Sequence, residues 1–211
     1  DENAQVRLQA ILTLADMPAS SEAGILVAEL ASKETDPILI DALTAAAAKH
    51  ASSFLQKVTA LKTEPSNAIV RITRRITEHF ARNKPDADGL KGIVENLSTA
   101  HTTLSTPILD GLADGLPTNY QVESNASLDA ALIKAFQNGD RILKAKLLRL
   151  TSRAGINALD PYAEEIVKSL AAVLENADTT AEKRGAAARD LIGFRASDKK
   201  AIAIVVGQLT P

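Results

Sequence analysis

The chain has no cysteine and no tryptophan, and aromatic residues make up only 3% of its 211 positions. Without cysteine there is neither a disulfide framework nor a thiolate metal site, and both reducing and oxidising compartments stay open. Few aromatics, and a 45% apolar fraction drawn mainly from Ala, Leu, Ile and Val, suit helix-on-helix packing better than sheets. An excess of one charge is also missing. Lys and Arg number 24 against 26 Asp and Glu, a formal net charge of −2. Nucleic acid is therefore not the expected partner, because no basic excess draws the chain to phosphates. The longest strongly apolar tail, Ala201 to Val206, follows Lys199 and Lys200. It falls far short of the roughly 20 residues a bilayer span needs, so no membrane insertion is expected of this segment.

Motifs of chemistry are equally sparse. No Gly-x-x-x-x-Gly-Lys loop, Gly-x-Gly-x-x-Gly fingerprint or Gly-x-Ser-x-Gly elbow occurs. His50, His79 and His101 stand apart with no His-Glu-x-x-His spacing, and read as exposed or helix-end histidines. No catalytic residue, metal ligand or cofactor is expected.

What the chain does have is helical periodicity. Ala23, Leu26, Val27, Leu30 and Ala31 recur at i, i+3, i+4, i+7 and i+8, the spacing of one buried stripe. The template fits again at Leu128, Ala131, Leu132, Ala135 and Phe136, at Ala163, Ile166, Val167, Leu170, Ala171 and Leu174, and at Ile202, Val205, Val206 and Leu209. Asp36-Pro37, Thr106-Pro107 and Asp160-Pro161 each place a capping side chain before a proline suited to the first helical position, and Thr179 with Glu182 forms a possible capping box. Short breaks at Met17-Pro18, Glu64-Pro65-Ser66-Asn67 and Lys84-Pro85-Asp86 have the connection length of antiparallel neighbours. About a dozen helices are expected. Residues 115–127 hold Pro117, Asn119 and Asn125 and read as a long loop or junction.

An internal echo points to repeats. Arg7-x-x-Ala10-x-x-x-Leu14 returns as Arg184-x-x-Ala187-x-x-x-Leu191. Ala and Leu share a face on which a neighbouring helix can approach closely, and the Arg can reach the next repeat. With Val6, these residues are the expected repeat-packing set. The expected fold is all-α: one α-solenoid domain over residues 1–211, an armadillo-like superhelix of antiparallel helix pairs.

Asp1-x-Asn-Ala-Gln-Val6-Arg7-Leu8-Gln9-Ala10 resembles the first helix of a HEAT repeat. Val6-Arg7-Leu8-Gln9-Ala10, Asp36-Pro37 and Leu109-Asp110-Gly111-Leu112-Ala113-Asp114-Gly115-Leu116 together resemble the HEAT region of bacterial membrane-bound dehydrogenase-type proteins. The resemblance implies an upstream sugar-dehydrogenase-like propeller, a downstream c-type cytochrome, and a periplasmic or cell-envelope setting. A helical pattern already running by Val6 fits a piece of something longer. No catalytic or haem-binding residue carries over, since the chain has no Cys-x-x-Cys-His.

Arg71, Arg74, Arg75, His79 and Arg82 share one side of a helix whose other side carries Ile69, Ile72, Ile76 and Phe80. Arg141, Lys144, Lys146, Arg149 and Arg153 form a second basic stripe. Either stripe can be a solvated face with ordinary ion pairs such as Arg74 to Glu78, or the two can line a groove for an acidic partner. Gly111-x-x-x-Gly115 is the spacing of close helix contact, read here as a helix end because Asp110 and Asp114 flank it. The expected function is a non-catalytic interaction or spacer module that positions adjacent domains or binds a protein partner. The alternative is a polyanion- or acidic-partner-binding solenoid.

Overall fold

A computed structural model describes residues 2–194 and 199–207. Among these residues the protein is all-α, with twelve helices and no strand. They are α1 (Ala4–Asp16), α2 (Ser21–Ala31), α3 (Pro37–Lys49), α4 (Ala51–Thr59), α5 (Asn67–Arg82), α6 (Ala87–Val94), α7 (Thr102–Gly115), α8 (Ala126–Asn138), α9 (Arg141–Ala154), α10 (Asp160–Glu175), α11 (Ala181–Phe194) and α12 (Lys199–Gly207). Packing divides the chain into two units, Asp1–Ile156 and Asn157–Pro211.

The helix starts are written in side-chain chemistry. Asn3, Ser20, Asp36, Ser66, Asp86, Asn125 and Asp140 each accept a backbone N–H from the first turn they precede. Each such cap is worth about 1 kcal/mol against alanine. Asp36 serves Ile38 at 2.8 Å and Leu39 at 3.3 Å, with Pro37 in the first turn as expected. At the other prolines the structure departs from expectation. Helix α7 begins at Thr102 behind His101, so Pro107 lies inside it and Thr106 caps nothing. Asp160 belongs to α10 and makes no side-chain cap, although Pro161 keeps its first-turn place. Thr180, not Thr179, accepts from the Lys183 N–H, at 3.4 Å. The irregular stretch between α7 and α8 is 116–125 and lies inside the first unit. The Val122 N–H ties it to the Ala154 carbonyl at 2.9 Å.

In the first unit, each helix packs on the one two places along. α1 packs on α3, α3 on α5, α5 on α7 and α7 on α9; α2 packs on α4, α4 on α6 and α6 on α8. The odd helices thus form one layer and the even helices a second, joined by contacts such as α2 with α3 and α4 with α5. Within each layer, successive helix starts are 30 to 39 residues apart. Phe54, Leu55, Ile69, Ile72, Ile76, Leu90, Ile93, Leu104 and Ile108 are fully buried, each worth about 1.5–3 kcal/mol on removal from water. The stripe expected on α8 is buried throughout. On α2, Ala23, Val27 and Ala31 are buried while Leu26 and Leu30 are exposed.

The second unit has its own core of Leu170, Leu174, Ala187 and Leu191, flanked by Ile166, Val167, Ile204 and Val205. Here the repeat-packing residues Ala187 and Leu191 are fully buried and Arg184 is half-buried. Their counterparts on α1 differ: Val6 and Ala10 are exposed, and Arg7 and Leu14 half-buried, because α1 packs on α3 through Ile11 and turns its other face outward. In α12, Ile202 and Val206 are exposed, and Leu209 lies outside the described residues.

Candidate functional site

The two basic stripes sit on α5 and α9, and α7 lies between them in the same layer. Its approach to α5 is close. A Cβ on Gly111 would stand 2.9 Å from the Arg74 carbonyl oxygen, and one on Gly115 2.8 Å from the Ala81 Cβ. The Gly-x-x-x-Gly spacing therefore seats one helix on another, and does so in a helix too polar for lipid. Gly115 is also the last residue of α7, as read from sequence.

Seated this way, α7 turns Asp110 and Asp114, one helical turn apart, toward the cations on both sides. Lys146 Nζ donates to Asp110 at 2.6 Å, and Arg149 reaches Asp110 at 3.4 Å and Asp114 at 2.6 Å. From α5, Arg74 approaches Asp114 at 3.8 Å. Asp110 and Lys146 are mostly shielded, with side chains 18% and 24% exposed, so water screens this pair less than a surface one. The charge is thus a ladder across three helices, α5 to α7 to α9.

The other stripe residues have separate fates. Arg82 pairs with Glu78 one turn earlier, where sequence spacing had suggested Arg74. The Asn83 amide lies 3.4 Å from His79 Nδ1. Lys144 sits 5.5 Å over the Phe136 ring, and Arg153 donates to the Leu116 carbonyl at 3.4 Å. Arg141 is exposed in the first turn of α9. Arg71 and Arg75 are exposed on α5 and make no hydrogen bond or ion pair among the described residues. Arg74 and Arg149 are therefore brought together through Asp114, while Arg71 and Arg75 stand on α5 with their charge unspent.

Sequence reading missed the two aspartates as the organising centre, though their four-residue spacing on a helix was the available signal. It also missed His50, which is 2% exposed at the α3–α4 junction. His50 Nδ1 accepts the Ser20 N–H at 3.0 Å, and Nε2 stands 2.8 Å from the Leu14 carbonyl, so the neutral ring with its proton on Nε2 satisfies both. His101 caps α7 and lies 3.4 Å from Glu64. No group of three or more His, Asp or Glu able to hold a metal occurs among the described residues. A recess of about 360 Å³ is bordered by Asp86, Asp88, Glu123 and Tyr120. Asp86 caps α6, the Tyr120 hydroxyl donates toward the Lys84 and Pro85 carbonyls at 3.2 and 3.1 Å, and Asn125 donates to Asp88 at 3.3 Å. Comparison with protein-family models, curated proteins and solved structures finds no match for this chain.

Proposed function

We propose that the chain is a non-catalytic protein-interaction and spacer module, a HEAT-like stack of helix pairs that holds neighbouring modules or a protein partner at a fixed separation. The observation that carries this reading is the recurrence of packing in the first unit, each helix on the one two places along at steps of 30 to 39 residues. Stacked pairs of this kind transmit position, since each is fixed only by its neighbours. The aspartate ladder from α5 to α9 supports the same reading by tying three successive members of one layer. The resemblance of Val6 to Ala10 and of Leu109 to Leu116 to the HEAT region of bacterial membrane-bound dehydrogenase-type proteins suggests what is spaced: a propeller dehydrogenase and a c-type cytochrome at the cell envelope.

The test uses the absence of cysteine, which makes labelling site-specific. Spin labels at Gln9→Cys on α1 and Lys134→Cys on α8, diluted with unlabelled protein, are expected to give a single narrow distance distribution. A broad or multimodal one removes the spacer reading. The exposure of Arg71 and Arg75 favours a second reading, an acidic partner segment docked on α5. Binding of a polyglutamate peptide that falls steeply with salt and is lost in Arg71→Glu/Arg75→Glu supports it; salt-independent or absent binding removes it.

A further inference from the structure

Asn138 and Gly139 form the only Asn-Gly step in a chain with nine asparagines. They stand at the turn from α8 to α9, whose two residues are Gly139 and Asp140. Packing demands the glycine. A Cβ at this position would stand 2.7 Å from Leu143 Cδ2 and 2.9 Å from the Ala135 carbonyl oxygen. Because nothing branches from the Gly139 Cα, its backbone nitrogen is also unshielded toward the Asn138 side chain. Asn138 is exposed and is the last residue of its helix, where the final turn opens most readily. Two hydrogen bonds restrain the pair. Asn138 Nδ2 donates to the Lys134 carbonyl at 2.9 Å, and the Gly139 N–H donates to the Phe136 carbonyl at 3.3 Å. Both belong to the terminal turn of α8, so fraying of that turn releases them together. Asn3 and Asn125, by contrast, spend their side-chain oxygens capping α1 and α8, and each precedes an alanine.

We propose that Asn138 is a site of spontaneous covalent modification, converted to aspartate and isoaspartate through a cyclic imide with Gly139. The Gly139 nitrogen gives up its proton and attacks Asn138 Cγ, and the new C–N bond closes a five-membered ring. The Cγ–Nδ2 bond breaks, and ammonia leaves carrying the proton. Water then adds to either imide carbonyl, so the balance is one water consumed and one ammonia released. Opening on one side leaves the main chain in place and an aspartate side chain. Opening on the other routes the main chain through the Asn138 Cβ. Either product alters the joint. Aspartate puts a second carboxylate near Asp140 and at the negative end of α8. Isoaspartate adds a methylene beside a two-residue turn in which Asp140 caps α9 by accepting the Leu143 N–H at 2.8 Å. Since α8 packs on α6 and α9 on α7, this turn is one of the places where the chain crosses between the layers. The inference goes beyond the spacer reading and does not depend on it.

The test ages the folded full chain in mildly alkaline buffer and maps it with trypsin, which cuts after Lys134 and Arg141 and isolates residues 135–141. That peptide is expected to gain the mass of an amide-to-acid exchange at Asn138, at least about tenfold faster than any other asparagine. It is also expected to split into an aspartyl and an isoaspartyl form. Asn138→Gln, which closes only a larger ring and does so slowly, is expected to abolish the change with helicity retained. An intact chain that stays unmodified at Asn138 while the synthetic 135–141 peptide reacts overturns the proposal, because the fold then withholds the nitrogen. An aspartyl product with no isoaspartyl form overturns it as well, since opening of the imide yields both.

Discussion

His50 holds two backbone groups from separate helix ends, the Leu14 carbonyl after most of α1 and the Ser20 N–H before α2. Replacing it with alanine leaves both without that partner in a nearly closed site, at about 1–3 kcal/mol for each. His50→Ala is expected to lower stability by about 3 kcal/mol in urea denaturation followed by circular dichroism. Glycines give a paired test of opposite sign. Gly111→Ala drives a methyl against the Arg74 carbonyl and is expected to cost about 1–3 kcal/mol. Gly185→Ala on α11 meets nothing nearer than Arg189 Nη1 at 3.8 Å, so only helix propensity acts and a gain of about 0.5–1 kcal/mol is expected. No loss, or a gain, at Gly111 would refute the close seating of α7 on α5, and a loss at Gly185 would refute the open space beside it.

At the scale of elements, ion pairs tie helices within a layer. Lys57 on α4 lies 2.8 Å from Glu29 on α2, and its hydrogen bond, then its charge, hold the Glu29 carboxyl below the ordinary value of 4.5. A lowered carboxylate favours the folded state above its unfolded value, and the effect fades as pH falls through the folded one. In Lys57→Ala, NMR titration is expected to show the Glu29 midpoint rising back toward 4.5. A double-mutant cycle on Asp110 and Lys146 is expected to return a coupling on the order of 1 kcal/mol, less reduced by salt than an exposed pair. Helix content, the breaks at Pro18, Pro65 and Pro85 and the Asp36-Pro37 start were legible in sequence because caps and apolar period are local, while the starts expected at Thr106 and Thr179 lie elsewhere. Partner choice was not: Arg74 sits one turn from Glu78 in sequence, yet Arg82 takes Glu78 and Arg74 turns to Asp114 on another helix. Local spacing lists neighbours along one helix and is blind to those across a layer. The same blindness put Leu26 and Leu30 in the core, since an apolar stripe does not say whether anything covers it.

For the molecule as a whole, two units each with its own core predict that residues 1–156 expressed alone keep cooperative thermal unfolding and native-like helicity. Loss of cooperativity would show that the first unit depends on the rest. The packing order in that unit also bears on how the chain reaches its fold. The side-chain hydrogen bonds linking one helix to another among the described residues there span from 28 residues, between Glu29 and Lys57, to 39, between Asp110 and Arg149. No such bond waits for distant chain to arrive, so loop-closure entropy is small at each step and structure can spread from any nucleated pair to the next. Since layer neighbours start only 30 to 39 residues apart, the first pairs are expected to be able to form before the rest of the chain has been made. A mutation that slows one interface delays the pairs still to form and leaves those already formed intact.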